Sequence, residues 1–538
     1  MIKRALIILA MVATVALPFI LRPSKEHTGK ADDNLIIITP HNEAIRHEFT
    51  AGFTEWYQEK TGRIVAIDWR VIGGTSEIAR FLDSEYVASF QNYWKGTLNK
   101  AWSMEVQAAF ANRRIGDDAN ERELEARQIF LESEVGCGID LFFGGGSYDF
   151  IRQAQAGRLV SSKILETHPE WFTKESIPYT FAGEQYWDEE GRWIGNVLSS
   201  YGILYNKDSL KRLGIVRPPE HWSDLTDPRL VGEVALCDPT KSGSITKAFE
   251  NLIQQQMQMR LNELSEGKNE NVTAEIEAQA VREGWIAGMQ ILRLMGANAR
   301  YFTDSSQKPP IDVSQGNSAV GVCIDFYGRY QAEAVKRRDD SARLIYVTPQ
   351  GGTVSSVDPI GLLRGAPNAE IGEAFIEFTL SMEGQKLWNF KVGAPQGPER
   401  FALRRLPVRR EYYAHKDWQQ YRSDPNSEPY SGVDQLVYRP EWTGRLFREM
   451  AFSIRVMCLD THEELVQAWR AIIDAGMPAD ALAVLNDMSL FTYDEVGGSI
   501  RDALRAKNRV EEVRMARDLG AKLRAQYRQA AELARAVP

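Results

Sequence analysis

The sequence predicts an α/β protein, and three observations carry that prediction. Short apolar runs alternate with amphipathic helical stretches from Asn34 onward. Three glycine- and hydroxyl-rich turns each end a strand and open a helix, the usual place for ligand contacts in α/β sheets. Composition is globular: 538 residues are 43% hydrophobic, 25% charged and 10% aromatic, which excludes a disordered chain, a fibrous repeat and a multispanning membrane protein. The formal charge of −9, from 64 basic against 73 acidic side chains, leaves no cationic surplus for coating nucleic acid. Cys137, Cys237, Cys323 and Cys458 stand singly, so no zinc ribbon or CxxC redox motif is present.

In chain order, Lys3 and Arg4 precede an apolar run from Ala5 to Leu21. Residues 1–23 therefore read as a signal peptide or an uncleaved membrane anchor, with a buried N-terminal helix as the bland alternative. Residues 24–33 form a polar linker, and the bulk of the chain is expected outside the cytoplasm, periplasmic or extracytoplasmic. Leu35–Thr39 is a buried strand; Glu43–Thr61 is a helix with Ile45, Phe49 and Phe53 on one face, stopped by Gly62. Ile64–Val71 is the second strand, and a mostly helical insertion spans 85–134. Ile139–Phe143 is the third strand, and Trp193–Asn206 is long and extended. Helices fill 246–295; strands follow at Ala319–Ile324, Leu344–Thr348 and Val357–Leu363. Ala369–Phe390 reads as one amphipathic helix. The remaining 401–538 is expected to be a mostly helical C-terminal extension: 401–445 is rich in Arg, Tyr and Pro, 461–535 reads as all-helical, and its last helix is basic and apolar at Leu504, Val510, Val513, Leu519, Leu523 and Tyr527. Such a tail suits a membrane or partner contact, or a solvated helix packed on one face.

The candidate site residues follow from the turns. Gly73-Gly74-Thr75-Ser76, Gly144-Gly145-Gly146-Ser147 and Thr240-Lys241-Ser242-Gly243-Ser244 each open a helix. Glycines admit close backbone approach, and free N–H groups with hydroxyls can hold a phosphate or carboxylate. Each could equally be an ordinary N-cap. No Gly-Lys-Ser/Thr follows the triple glycine, so it is not a Walker loop. His41 closes the first strand, Asp325 and Tyr327 follow a later one, and Asp358 lies on the returning crossover. All four are ligand candidates; His41 and His47 are six apart and form no metal pair on a helix.

Several segments together resemble one family. LIIITPHNEAIRHEFTAGFTEWYQEKTG (Leu35–Gly62), IDLFFGGGSYDFIRQAQAGRLV (Ile139–Val160), YGILYNKD (Tyr201–Asp208) and HWSDLTDPRLVGEVALCDPTKSG (His221–Gly243) are similar, in this order, to extracellular solute-binding proteins of bacterial ABC transporters. The group is the type 2 periplasmic binding fold, whose members carry ferric iron, thiamine, polyamines or aminoethylphosphonate. The resemblance covers about 34–400. It implies one lobe from 34–200 plus 353–400 and a second from 201–352, hinged by two crossings and closing over a small solute for an ABC permease. Where iron-binding relatives place adjacent tyrosines, this chain has Phe326-Tyr327, so a ferric ion, which wants several anionic oxygens, stays open as cargo but is less favoured. No metal site or cofactor is expected, and the preferred solute is anionic or zwitterionic. Two alternatives stay open: an anchored ligand-binding module without transport, and a cysteine-dependent enzyme using Cys137 or Cys323 near the ligand turns.

Overall fold

A computed structural model describes residues 31–536 apart from 114, 117, 118, 432–434 and 506–508; segment 1–23 and most of the linker 24–33 lie outside the described residues. Two sheets organise the chain. In the first, β1 (Asp33–Ile38) pairs in parallel with β2 (Val65–Arg70) and β3 (Leu141–Phe143). The outer side of β3 carries β13 (Ser356–Leu363), then β7 (Ile194–Ser199) and β14 (Leu406–Pro407), all antiparallel, with the short β4 (Leu159–Val160) also on β13. The second sheet runs β10 (Ala299–Thr303), β9 (Val234–Cys237), β11 (Val320–Ile324), β8 (Tyr201–Asn206), β12 (Leu344–Val347), the first three parallel. A hairpin of β5 (Thr180–Phe181) and β6 (Glu184–Gln185) stands apart.

Only Ser200 separates β7 from β8, so the chain changes sheets within one residue; it returns through 348–355 into β13. Two lobes joined by two crossings result, an arrangement that permits hinge closure. The central strands β3, β7, β8, β9 and β11 are buried along their whole length, as strands covered by helices on both faces are. In the first lobe α1 (Glu43–Thr61) starts where the Asn42 side chain accepts from Ile45 N and stops at Gly62, φ 72°. The stretch 85–134 is built into the same core: α2 (Thr75–Asn92) leads into it, and Phe90, Phe110 and Phe130 pack with centroids 4.7–5.4 Å apart. The helices α3 (Ser147–Ala156), α4 (Gly243–Leu264), α5 (Ala274–Asn298) and α6 (Asp325–Asp339) complete the frame of the cleft.

One expectation needs correction. Ala369–Phe390 is two helices, Ala369–Leu380 and Met382–Asn389, broken where Ser381 becomes extended (ψ 162°) and its hydroxyl caps the second by accepting from Gly384 N. The C-terminal extension is mostly helical as expected: its Arg-, Tyr- and Pro-rich start runs largely non-helical up to Arg439 and supplies β14 to the first sheet, and the helices follow. Its helices α7 (Phe447–Ile454), α8 (His462–Asp474), α9 (Ala479–Asn486) and α10 (Arg509–Arg535) share one core with α4 and α5. In α10, Leu519, Leu523 and Tyr527 are buried, whereas Val510 and Val513 are exposed.

Candidate functional site

The three turns meet in the cleft between the lobes. Gly74 lies so close to the second lobe that a Cβ there would stand 2.5 Å from the Lys241 carbonyl oxygen. Its own N–H donates to the Glu77 carboxylate. Gly144 (φ 88°) and Gly145 (φ 114°) occupy the left-handed region that favours glycine. A Cβ on Gly144 would strike the His41 ring, and one on Gly145 the Thr75 side chain, so these glycines pack the first-lobe turns together. Ser242 is a true N-cap, its hydroxyl accepting from Ile245 N, and Gly243 faces Asp149 across the cleft.

Two adjoining chambers occupy this space. The larger, about 590 Å³, is lined by Ser76, Thr240, Lys241, Arg80 and Arg152, with Asp83 and Asp149 as its first-lobe acids. The smaller, about 360 Å³, takes in Gly146, Ser147, Gly243, Tyr201 and Lys247. Among the described residues, Arg80, Arg152 and Lys241 have no carboxylate partner within 4 Å, whereas Asp83 pairs with Arg158. Arg152 lies over the Tyr148 ring, 5.6 Å from its centre. Burial pushes the Asp149 carboxyl up to about 6, against the opposing pull of Arg152. At the back of the smaller chamber Lys247 Nζ donates to Glu184 (2.6 Å) and Glu250 (2.9 Å), linking the hairpin of one lobe to α4 of the other.

Other predicted residues are engaged elsewhere. The hinge end of the cleft is filled by Arg405, fully buried, which donates to Asp358 (2.7 Å) and to Ser199 Oγ and lies 4.4 Å from the Phe326 ring centre. His41 Nε2 is 3.6 Å from Asp358. Burial lowers the His41 pKa, with Arg405 adding to the effect against the Asp358 hydrogen bond. Burial alone would raise the Asp358 carboxyl, but Arg405 and His41 outweigh it and hold it below its usual value. His41 and Asp358 thus already share a partner from the chain itself. Asp325 is fully buried and paired with Arg329 at 2.6 Å, so it is not presented to a cationic ligand. Tyr327 is half-buried beside Phe326 (centroids 4.1 Å) and lines neither chamber; Thr75 and Ser244 line neither as well.

Sequence reasoning missed Arg80, Arg152 and Asp149, which stand in the first two turns of helices whose starts it did single out; charges at those offsets were the available signal. Arg405 had none, being one arginine in an Arg-rich stretch. Among the described residues no three His, Cys, Asp or Glu side chains are grouped to hold a metal, and no helix is long and apolar enough to cross a membrane.

Two α/β lobes joined by two crossings over a ligand-sized cleft form the two-lobed binding-protein fold. The family profile of bacterial extracellular solute-binding proteins matches residues 139–407, half the chain, and the chain belongs to that family. It is a periplasmic receptor that captures a small solute for an ABC permease. An uncharacterized protein of Haemophilus influenzae is 28% identical over 297 residues, 54% of this chain and 70% of its own length. The phosphoglycerate transport regulatory protein PgtC of Salmonella typhimurium is 22% identical over 196 residues, 36% of this chain and 40% of PgtC. The periplasmic binding protein AfuA from Actinobacillus pleuropneumoniae superposes with a TM-score of 0.48 at 16% identity, covering 82% of this chain and 98% of AfuA.

Proposed function

We propose that the solute is an organic anion, held where the starts of α2, α3 and α4 converge. The observation that carries this reading is the set Arg80, Arg152 and Lys241, three cations without carboxylate partners on one cavity. Cations left unpaired in a partly desolvated cleft, next to the positive ends of helices, favour an anion of matching charge. The likeness to PgtC supports a phosphorylated or carboxylated solute. The lobes act by binding and closure without covalent chemistry. Burial pushes the Cys237 and Cys458 thiols up to about 12 and also raises those of Cys323 and Cys137, so none is a ready thiolate at neutral pH. The basic–apolar segment 1–23 supports membrane contact at the N-terminus, as a signal or a retained tether. Calorimetric titration with 3-phosphoglycerate and inorganic phosphate tests the reading. Saturable binding of either, lost in R152A and K241A, is expected; no binding of any anion would overturn it.

A further inference from the structure

The cleft has a wall that the two-lobed fold does not supply. Phe447 and Arg448, at the start of α7 in the C-terminal extension, line both chambers, together with Tyr148, Asp149 and Arg152 of the first lobe. The Phe447 ring stacks on Tyr148 with centroids 4.3 Å apart and an interplanar angle of 29°. Arg448 is braced from behind by Glu512 (2.7 Å) and the Leu504 carbonyl (2.9 Å), and Arg455 by Asp460 (3.3 Å).

The segment leading into α7 is anchored from the second lobe. Glu250 accepts from Thr443 Oγ1 (2.6 Å) and from the Tyr438 hydroxyl (3.0 Å), and Lys247 Nζ sits 3.2 Å from the centre of the Tyr438 ring. Extension side chains therefore have fixed positions on the cleft.

The two chambers differ in chemistry. Arg80 and Lys241 line only the larger, Arg152, Tyr148 and Phe447 stand on both, and the smaller adds the rings of Tyr201 and Tyr438, while its Lys247 is already matched by Glu184 and Glu250. A bare inorganic anion would engage the cations and leave the rings uncovered. A solute with an anionic group joined to a flat or apolar body would use both, desolvating aromatic surface as it binds.

We propose that the C-terminal extension is the third wall of the solute site, and that the Tyr148–Phe447 stack with Tyr438 selects organic anions carrying a flat or apolar body over bare inorganic anions. This rests on the anion reading of the same cleft. The test is calorimetric titration of the full chain with inorganic phosphate, glycerol 3-phosphate and phenyl phosphate. Phenyl phosphate is expected to bind at least tenfold more tightly than inorganic phosphate, and F447A to cut that ratio below threefold. F447L, which keeps apolar volume but removes the ring, guards against a folding defect and should also lower the ratio. Equal binding of phenyl and inorganic phosphate by the wild type, or an unchanged ratio in a folded F447L, overturns the selectivity while leaving the anion reading intact. Failure of all three probes to bind overturns both.

Discussion

Asp149 stands 4% exposed in the first turn of α3, and burial pushes its carboxyl up to about 6 from an ordinary 3.8. The folded chain therefore holds this proton more tightly than the unfolded chain. The corresponding stability is fully present below about pH 4 and is lost as pH rises through 6, a cost on the order of 3 kcal/mol at pH 8. D149N removes the desolvated charge and should be the more stable by about 2 kcal/mol at pH 8, the difference closing near pH 4. Urea denaturation at the two pH values checks this, and a pH-independent difference would refute it. Arg405 poses the opposite case, a buried cation whose partners are a carboxylate, a hydroxyl and aromatic faces. R405M strips Asp358 of its charge partner and should cost about 3 kcal/mol, since breaking one side of a buried pair leaves the other uncompensated. The double variant D358N/R405M should recover part of that loss, and a cycle showing no coupling would mean that Arg405 acts through packing alone.

At the scale of elements, α2 reaches across the cleft through one small residue. Gly74 has φ −71°, open to any residue, so alanine brings no backbone strain there. The added methyl would nevertheless stand 2.5 Å from the Lys241 carbonyl oxygen, which belongs to the other lobe. G74A should force the two turns apart and weaken anion binding about tenfold, roughly 1.4 kcal/mol. Unaltered affinity would show that solute capture does not draw these two turns together. Elements with local signatures are legible in the sequence: Asn42 and Gly62 bracket α1, and β1 is a plain apolar run. The break at Ser381 is not, because the apolar spacing runs straight through it and only the hydroxyl's choice of Gly384 N ends the first helix. The start of β14 is also hidden, since Leu406-Pro407 becomes a strand only by lying against β7.

For the whole molecule, what is legible divides along the same line. Glycine-rich turns at strand ends are written locally, so the three that converge can be found one at a time. Arg405 and Phe447 reach the cleft by long-range packing from a region whose own pattern is uninformative. Packing of the same kind makes the helical part of the extension, from α7 onward, part of the second lobe rather than an appendage, while β14 belongs to the first. Arg293 on α5 is fully buried and donates to the carbonyls of Leu485 and, at 2.9 Å, Asp487. Trp285 Nε1 donates to the Phe491 carbonyl at 2.8 Å, and Trp469 Nε1 reaches back to Asn298 at 2.8 Å. On the other flank, Arg404 pairs with Asp424 (2.9 Å) and its carbonyl accepts from Arg329 on α6. Removing the extension would leave a guanidinium and an indole N–H without acceptors on an exposed apolar face, several kcal/mol of unmet polar burial besides the lost packing. A chain ending at residue 400 should therefore fail to give a soluble folded second lobe, and the full chain should melt with α5 and the extension in one transition. Hydrogen exchange on the full chain reads this directly: amides of α5 and α8 should share one opening free energy, and independent exchange of α8 at much lower protection would show the extension to be a separate unit.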